Sequence, residues 1–338
     1  MDTAEAMSRA LAAAESVRGT TSPNPPVGCV ILDTRGELAG VGATQPPGGP
    51  HAEVMALRAA GERARGGTAV VTLEPCAHHG RTPPCVDALL DAGVTAVRYA
   101  VADPNPAASG GGQRLREAGV DARKGPLTTE VEHGPLRAWL HFAGTGRPHV
   151  TWKYAASLDG RVAAEDGTSR WISGPESRAE VHAWRTVIDA IMVGRGTVLA
   201  DDPALTARDA DGYPLDRQPL RVVVGEGELP SGAKVTDDTA RTVHLRTREP
   251  AEVLAGLAQL GVVDVLLEGG PTLAGAFLHA GLVDRVVAYV APILLGSGPA
   301  ALARAGVSTV TGAHRFVVEG VTMSGSDVRI SAVPVRVG

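Results

Sequence analysis

A histidine, a glutamate and two cysteines stand close enough in this chain to build one reactive centre. The run His51-Ala52-Glu53 is followed by Glu74-Pro75-Cys76 and then by Pro83-Pro84-Cys85. One imidazole and two thiolates can hold a zinc ion tetrahedrally and leave the fourth position open for water. Glu53 is placed to move protons to and from that water. On a regular helix, side chains two apart point nearly opposite ways. His51 and Glu53 can therefore serve one site only at a helix mouth, where backbone N–H groups also face the ligand. The plainer readings are a structural zinc or chance spacing. Structural sites close with four protein ligands, and His78 and His79 are the candidates for a fourth.

The order of these residues is the H-x-E…P-C pattern of zinc-dependent nucleobase deaminases, in which an activated water attacks an amino-bearing ring carbon. One departure is specific. Cys76 and Cys85 have eight residues between them, where the usual motif has two. The insertion carries His78, His79 and Arg81, readable as a solvated basic loop or as a hold for a phosphate.

The elements that must position these residues alternate. A helix is expected over residues 3–18. The Pro-rich turn Thr21-Ser22-Pro23-Asn24-Pro25-Pro26 then leads into strand 27–33, and strand 38–43 precedes a helix opening at His51. Thr68 to Leu73 reads as a β-branched strand ending near the first cysteine. Thr82-Pro83-Pro84 reads as a helix start, with Thr as cap and Pro in the first turn, and that helix closes at Gly93. Strand 94–101 ends at Asp103-Pro104-Asn105-Pro106, and a helix over 112–118 follows. Such alternation implies an α/β sandwich around one sheet.

Gly144-Thr145-Gly146-Arg147-Pro148 is the best boundary, and beyond it the chain restarts with strand 149–156. Ser173 with Glu176 predicts a capping-box start for a helix to about 187. Strands follow over 189–194, 220–224 and 262–268, the last ending at Glu268-Gly269-Gly270, with a helix opening at about Thr272. That glycine turn lets backbone approach a phosphate at a helix N-terminus. Gly194-Arg195-Gly196-Thr197 lacks the third glycine of a dinucleotide fingerprint, which excludes a Rossmann domain.

The 338 residues suggest two domains. Aromatic residues are only 3% of the chain, so the core must be mostly Ala, Val and Leu. The net charge of −5 and pI near 6.1 show no basic face for nucleic acid. A free nucleotide or small phosphate is the expected partner, and no apolar run approaches membrane-spanning length. Three cysteines, two of them in the zinc pattern, argue for a reducing cytoplasm, with Cys29 as a small buried hydrophobe.

With these motifs in hand, the chain closely resembles, over nearly its whole length, the bifunctional riboflavin-biosynthesis deaminase/reductase of bacteria. In the first half the resemblance rests on Thr21-Ser22-Pro23-Asn24-Pro25-Pro26-Val27-Gly28, His51-Ala52-Glu53-Val54, the run from Thr72 through Cys76 to Cys85, and Asp103-Pro104-Asn105-Pro106. In the second half it rests on Ser157-Leu158-Asp159-Gly160-Arg161, Trp171-Ile172-Ser173, Val193-Gly194 with Gly196-Thr197-Val198-Leu199-Ala200-Asp201-Asp202-Pro203, and Glu268-Gly269-Gly270. The resemblance implies a cytidine-deaminase-like α/β/α sandwich over residues 1–145, the zinc-dependent pyrimidine deaminase. It implies a dihydrofolate-reductase-like α/β domain over residues 146–338, the NADPH-dependent reductase. The substrate would be 2,5-diamino-6-ribosylamino-4(3H)-pyrimidinone 5′-phosphate, first deaminated and then reduced from ribosyl to ribityl, in a cytoplasmic homo-oligomer (dimer or tetramer).

By that resemblance His51, Cys76 and Cys85 hold one zinc ion, and Glu53 is the general acid/base. Asn24, His78, Asp103 and Asn105 position the pyrimidine and its phosphoribosyl arm. NADPH meets Ala155, Trp171, Thr197, Asp201 and the turn Gly270, Pro271, Thr272, Leu273, Ala274, Gly275 and Ala276. Ser169, Arg185, Leu205, Arg208 and Glu268 meet the substrate, with Lys153 and Asp201 near the hydride-transfer centre. Plainer roles stay open for several of these. Asn24 could be a turn residue, Asp103 and Asn105 could satisfy their own backbone, Arg185 could decorate a helix face, and Trp171 could be packing. The chain departs from the family at Thr44 and Met55, where many members carry histidine. The competing readings are a zinc deaminase of another nucleotide or nucleic-acid base with a non-catalytic C-terminal assembly domain, and a zinc-stapled binding protein without catalysis.

Overall fold

The computed structural model describes residues 1–78, 83–106, 108–209 and 211–335. The chain divides into two compact units, Met1–Arg147 and Pro148–Gly338.

In the first unit, α1 (Thr3–Ser16) is capped by Asp2, whose carboxylate accepts the Glu5 N–H at 2.8 Å. Strands β1 (Gly28–Leu32), β2 (Leu38–Ala43), β3 (Thr68–Leu73), β4 (Ala96–Val101) and β5 (Asp121–Lys124) form a sheet in the order β2-β1-β3-β4-β5. β1 runs antiparallel to both neighbours, while β3, β4 and β5 are parallel. Every residue of β1 is buried, as its apolar run requires, and Cys29 is fully enclosed. Helices α2 (Ala52–Ala60), α3 (Cys85–Asp91), α4 (Gly111–Glu117), α5 (Thr128–His133) and α6 (Arg137–Thr145) complete the unit.

With few aromatics to fill space, this unit brings helices down onto glycine and alanine. A Cβ at Gly28 would lie 1.9 Å from the Ala10 carbonyl oxygen of α1, and one at Gly42 would lie 2.3 Å from the Ala56 nitrogen of α2. The bare position at Gly42 sets the depth of α2, and hence of His51 and Glu53 at its start. Gly28→Ala must therefore push α1 off the sheet. We expect a loss of about 1–3 kcal/mol, read as a lower melting temperature for the full chain.

Three sequence expectations shift here. α3 begins at Cys85 with Pro84 in the cap position, while Thr82, expected as its cap, lies outside the described residues. α1 stops at Ser16 rather than residue 18. β5, α5 and α6 were not anticipated. β5 buries only Ala122 of four residues, so no alternation marks it, and its place is held by ladder bonds to β4 and an Arg98–Asp121 ion pair at 2.7 Å.

In the second unit the order is β12-β13-β11-β6-β10-β7-β8-β9. The strands are β6 (His149–Ser157), β7 (Ala190–Gly194), β8 (Leu220–Val224), β9 (Thr242–Leu245), β10 (Asp264–Leu267), β11 (Arg285–Ala291), β12 (Phe316–Ser324) and β13 (Asp327–Pro334). β11 through β9 in that order are parallel, and the β12–β13 hairpin adds an antiparallel edge. Helices α7 (Pro175–Arg185), α8 (Arg195–Asp201), α9 (Pro250–Gln259) and α10 (Pro271–His279) connect them. β10 inserts between β6 and β7 and its connection crosses β6 to β11, so the connections from β6 and from β10 run in opposite directions. Such a switch opens a crevice at the carboxyl ends of the strands.

The capping box expected at Ser173 is not formed. Gly174 is the cap, its N–H donates to Asp327 at 2.8 Å, and the helix ends at Arg185. Asp327 satisfies the helix start from the far end of the chain, a partner that local sequence could not reveal. Among the described residues, no helix is long and apolar enough to cross a membrane.

Candidate active sites

His51 is the cap residue of α2, and Glu53 lies in its first turn. Extended backbone at His51 (φ −75°, ψ 166°) turns its ring off the helix direction, which lets both side chains reach one place. Cys76 follows β3, and Cys85 opens α3. His51 Nδ1 lies 3.2 Å from Cys85 Sγ and 3.7 Å from Cys76 Sγ. The three ligand atoms sit within 4.8 Å of one another. Atoms held tetrahedrally at about 2.0–2.3 Å from one centre lie roughly 3.5 Å apart, so this donor set fits zinc.

The electrostatics agree. A hydrogen bond from Cys85, with further help from the Cys85 amide and His51, holds the Cys76 thiol down at about 4 against its burial. Cys85, donating to Cys76 and itself buried, is pushed up. His51 is raised chiefly by its hydrogen bond to Cys76. A divalent cation displaces protons shared in this way. Glu53 is 4% exposed, and burial together with the Cys76 charge pushes its carboxyl up to about 7. A carboxyl poised there can accept and return a proton near neutrality.

A cavity of about 600 Å³ opens over this centre, and Asn24, His78, Asp103 and Asn105 all line it. The plainer reading of Asp103 holds as well: its carboxylate accepts the Asn105 N–H at 2.9 Å while facing the cavity. Burial raises the Asp103 carboxyl. Thr44 is buried in the same wall, and its hydroxyl is engaged by the Val27 backbone at 3.1 Å. His79 and Arg81, read as a phosphate hold, lie outside the described residues. Sequence reasoning missed Glu74 and the α6 wall of Trp139, Phe142 and Ala143. The spacing of three and four within α6 was the available signal, in a chain with only four Trp and three Phe.

The second cavity, about 530 Å³, lies at the carboxyl ends of β6, β7 and β10. Lys153, Ala155, Ser169, Thr197, Asp201, Glu268, Gly270, Pro271, Thr272 and Leu273 line it. Gly194, Gly196, Gly269 and Gly270 present bare backbone there, and a Cβ on Gly196 would project into open space. This volume and glycine cradle suit a nucleotide cofactor. Beneath it Lys153 Nζ lies 3.8 Å from Glu268, and Arg185 reaches the same carboxylate at 3.2 Å, all three side chains about 15% exposed or less. Burial works against the Glu268 charge, but Arg185 and Lys153 outweigh it and hold the carboxyl below its usual range. Burial also pulls the Lys153 ammonium down.

Several expected contacts do not reach this cavity. Ala274 is buried in the hydrophobic core, and Gly275 packs so closely on the Ala303 carbonyl that a Cβ would lie 1.8 Å from it. Both lie on the core side of α10, and Ala276 is likewise absent from the cavity wall. Trp171 is 69% exposed and stacks under the Arg178 guanidinium at 4.6 Å. Leu205 packs with Val198 and Ile191, Arg208 bonds Thr206 and the Gly212 carbonyl, and Arg185 is turned to Glu268 and Thr206. Tyr154, Val162, Ala163, Pro299 and Ala301 line the cavity without having been anticipated.

A metal-ligating triad beside a buried carboxylate, and a separate glycine-lined crevice in a second α/β unit, define a deaminase domain joined to a reductase domain. Residues 1–101 match the cytidine and deoxycytidylate deaminase zinc-binding region, and residues 148–329 match the RibD C-terminal domain. The riboflavin biosynthesis protein RibD of Mycobacterium tuberculosis is 56% identical over 97% of this chain and 96% of its own length. That of Escherichia coli is 41% identical over 97% and 98%. Among solved structures, Acinetobacter baumannii RibD superposes with a TM-score of 0.89 at 38% identity, covering 99% of each chain. The diaminohydroxyphosphoribosylaminopyrimidine deaminase/5-amino-6-(5-phosphoribosylamino)uracil reductase of Thermotoga maritima gives 0.90 at 33% identity, covering 98% and 99%. The chain belongs to the RibD family of bifunctional riboflavin-biosynthesis enzymes.

Proposed function

We propose that the first unit removes the 2-amino group of 2,5-diamino-6-ribosylamino-4(3H)-pyrimidinone 5′-phosphate by hydrolysis, and that the second reduces the ribosyl chain of the product with NADPH. The end product is 5-amino-6-ribitylaminouracil 5′-phosphate. The observation that carries the reading is the convergence of His51, Cys76, Cys85 and Glu53 at the floor of a cavity whose walls carry Asn24, His78, Asp103 and Asn105.

One zinc ion per chain, held by His51, Cys76 and Cys85, supplies the Lewis acidity that makes water nucleophilic near neutral pH. Glu53 takes the proton released as water attacks and delivers it to the amino group leaving as ammonia. Asn24 and Asp103 orient the pyrimidine, and Asn105 and His78 meet its phosphoribosyl arm. In the second unit, NADPH supplies the hydride. Thr197 and the Gly270–Leu273 turn hold the cofactor at the start of α10, and Ala155 borders it. Ser169 and Glu268 face the sugar, and Lys153 and Asp201 stand near the hydride-transfer centre. Arg185 fixes the Glu268 carboxylate.

Free thiols at Cys29, Cys76 and Cys85 fit a reducing cytoplasm. A homo-oligomer, dimer or tetramer, is supported by the edge strand β12, which exposes Val317, Val318, Val321 and Met323.

Asp201→Asn separates the two activities. Deamination is expected at the wild-type rate, with reduction at least about tenfold slower, the effect of one lost charged hydrogen bond. Loss of both activities in a folded, zinc-loaded variant would contradict the assignment. NADPH should raise the melting temperature of the wild-type chain, and no shift at saturating NADPH would favour a non-catalytic second domain.

A further inference from the structure

Glu74 belongs to neither the metal ligands nor the expected substrate contacts, yet it is the most connected carboxylate in the first unit's cavity. It follows β3, and its own N–H donates to the Val101 carbonyl at 2.8 Å, which continues the β3–β4 ladder past the last strand residue. The residue is 8% exposed. Its Oε2 accepts the Asp103 N–H at 3.1 Å, and its Oε1 accepts the Gly112 N–H at 2.8 Å. One buried carboxylate thus holds both the turn after β4 and the first turn of α4.

The same two segments are laced to the metal loop on the other side of Glu74. The Ala77 N–H donates to the Ala108 carbonyl at 3.1 Å, and Gly111 lies so near Pro75 that a Cβ would sit 1.7 Å from its carbonyl oxygen. Arg114 of α4 donates to the Ala77 carbonyl at 3.3 Å and to Asp87 at 2.5 Å. Cys76 and Asp103 are therefore members of one cross-braced block. A buried acceptor that satisfies two backbone donors is costly to replace, because each unmatched donor forfeits its full desolvation cost.

We infer that Glu74 is a positioning residue, fixing the Asp103–Asn105 turn at the height of the Cys76 metal ligand so that substrate and metal meet in register. The inference rests on the deaminase reading of this cavity. Glu74→Gln keeps size and one acceptor but points an amide N–H at one of the two donors. Glu74→Asp keeps the charge on a side chain one methylene shorter.

The test measures backbone amide exchange, zinc content and deaminase kinetics on the full chain. In Glu74→Gln, exchange at the Asp103 and Gly112 amides is expected to quicken by about tenfold or more, with zinc retained. KM should rise by about tenfold while kcat changes less than about threefold, and Glu74→Asp should recover part of that KM. Unchanged exchange in both variants overturns the clamp whatever the substrate. Quickened exchange with wild-type KM overturns the positioning role and leaves the deaminase reading standing. Loss of zinc together with activity also overturns it, making Glu74 a support of the metal loop. A wild-type chain that fails to convert the pyrimidine phosphate counts against the functional reading, and the clamp is then judged on exchange alone.

Discussion

Glu53→Gln is expected to lower the deaminase kcat by about 10²–10⁴-fold, with one zinc per chain retained and reduction of supplied deaminated substrate unchanged. Glu53 sits in the first turn of α2, is nearly sealed from solvent, and has its carboxyl pushed up to about 7 by burial and the neighbouring Cys76 thiolate. Near neutrality such a group is both acid and base, which hydrolytic deamination needs in succession. Glutamine matches its shape and hydrogen-bonding length but cannot carry the proton. Because the substituted side chain is neutral and isosteric, the fold and the three metal ligands should survive. Metal analysis and single-turnover kinetics check both halves. Wild-type turnover in the variant would remove Glu53 as the general acid/base.

The second large effect is expected from Glu268→Gln. Glu268 is the one carboxylate joined to both Lys153, at 3.8 Å, and Arg185, at 3.2 Å. Removing its charge leaves two buried cations without their shared partner. Breaking a buried pair from one side costs about 3–5 kcal/mol, so the second unit should lose a large part of its stability, and reduction should fall at least about 100-fold. Lys153→Met is the informative control. It leaves the Arg185–Glu268 pair intact, so it should cost less stability while impairing reduction as severely.

The pH dependence follows with a definite sign. The Glu268 carboxyl is lowered from 4.5 in the folded chain, because Arg185 and Lys153 outweigh its burial. Its stabilisation is therefore complete above about 4.5 and is lost as pH falls through the lower folded value. Wild-type stability should decline across that acid window, and Glu268→Gln should flatten the decline. Equal melting temperatures for wild type and Glu268→Gln would contradict the ion-pair account.

How far this was legible depended on whether a residue's role was fixed locally. His51, Cys76, Cys85 and Glu53 announced themselves by type and order, and β3 and β8 by β-branched runs between turns. Long-range partners were not legible. The helix start at Pro175 is satisfied by Asp327, about 150 residues away, so the local Ser173–Glu176 pattern pointed to the wrong cap. Glu74 was visible only as a member of the Glu74-Pro75-Cys76 run, because its two acceptor bonds go to a turn and a helix separated from it in sequence. Gly275 packs directly on the Ala303 carbonyl, where a Cβ would not fit, and this contact across the sequence is not visible locally. The α6 aromatics were visible, but nothing local said that they cover the cavity.

The most direct test of the central claim is a mass-spectrometric product assay on purified, zinc-loaded protein given the diaminopyrimidine ribosyl phosphate, with and without NADPH. The account predicts conversion of the amine to the oxo compound without NADPH and appearance of the ribityl product only with it. Deamination alone in both tubes would contradict the reductase assignment of the second unit. No conversion in either would contradict the substrate, and would place the cause in the pocket wall around Thr44.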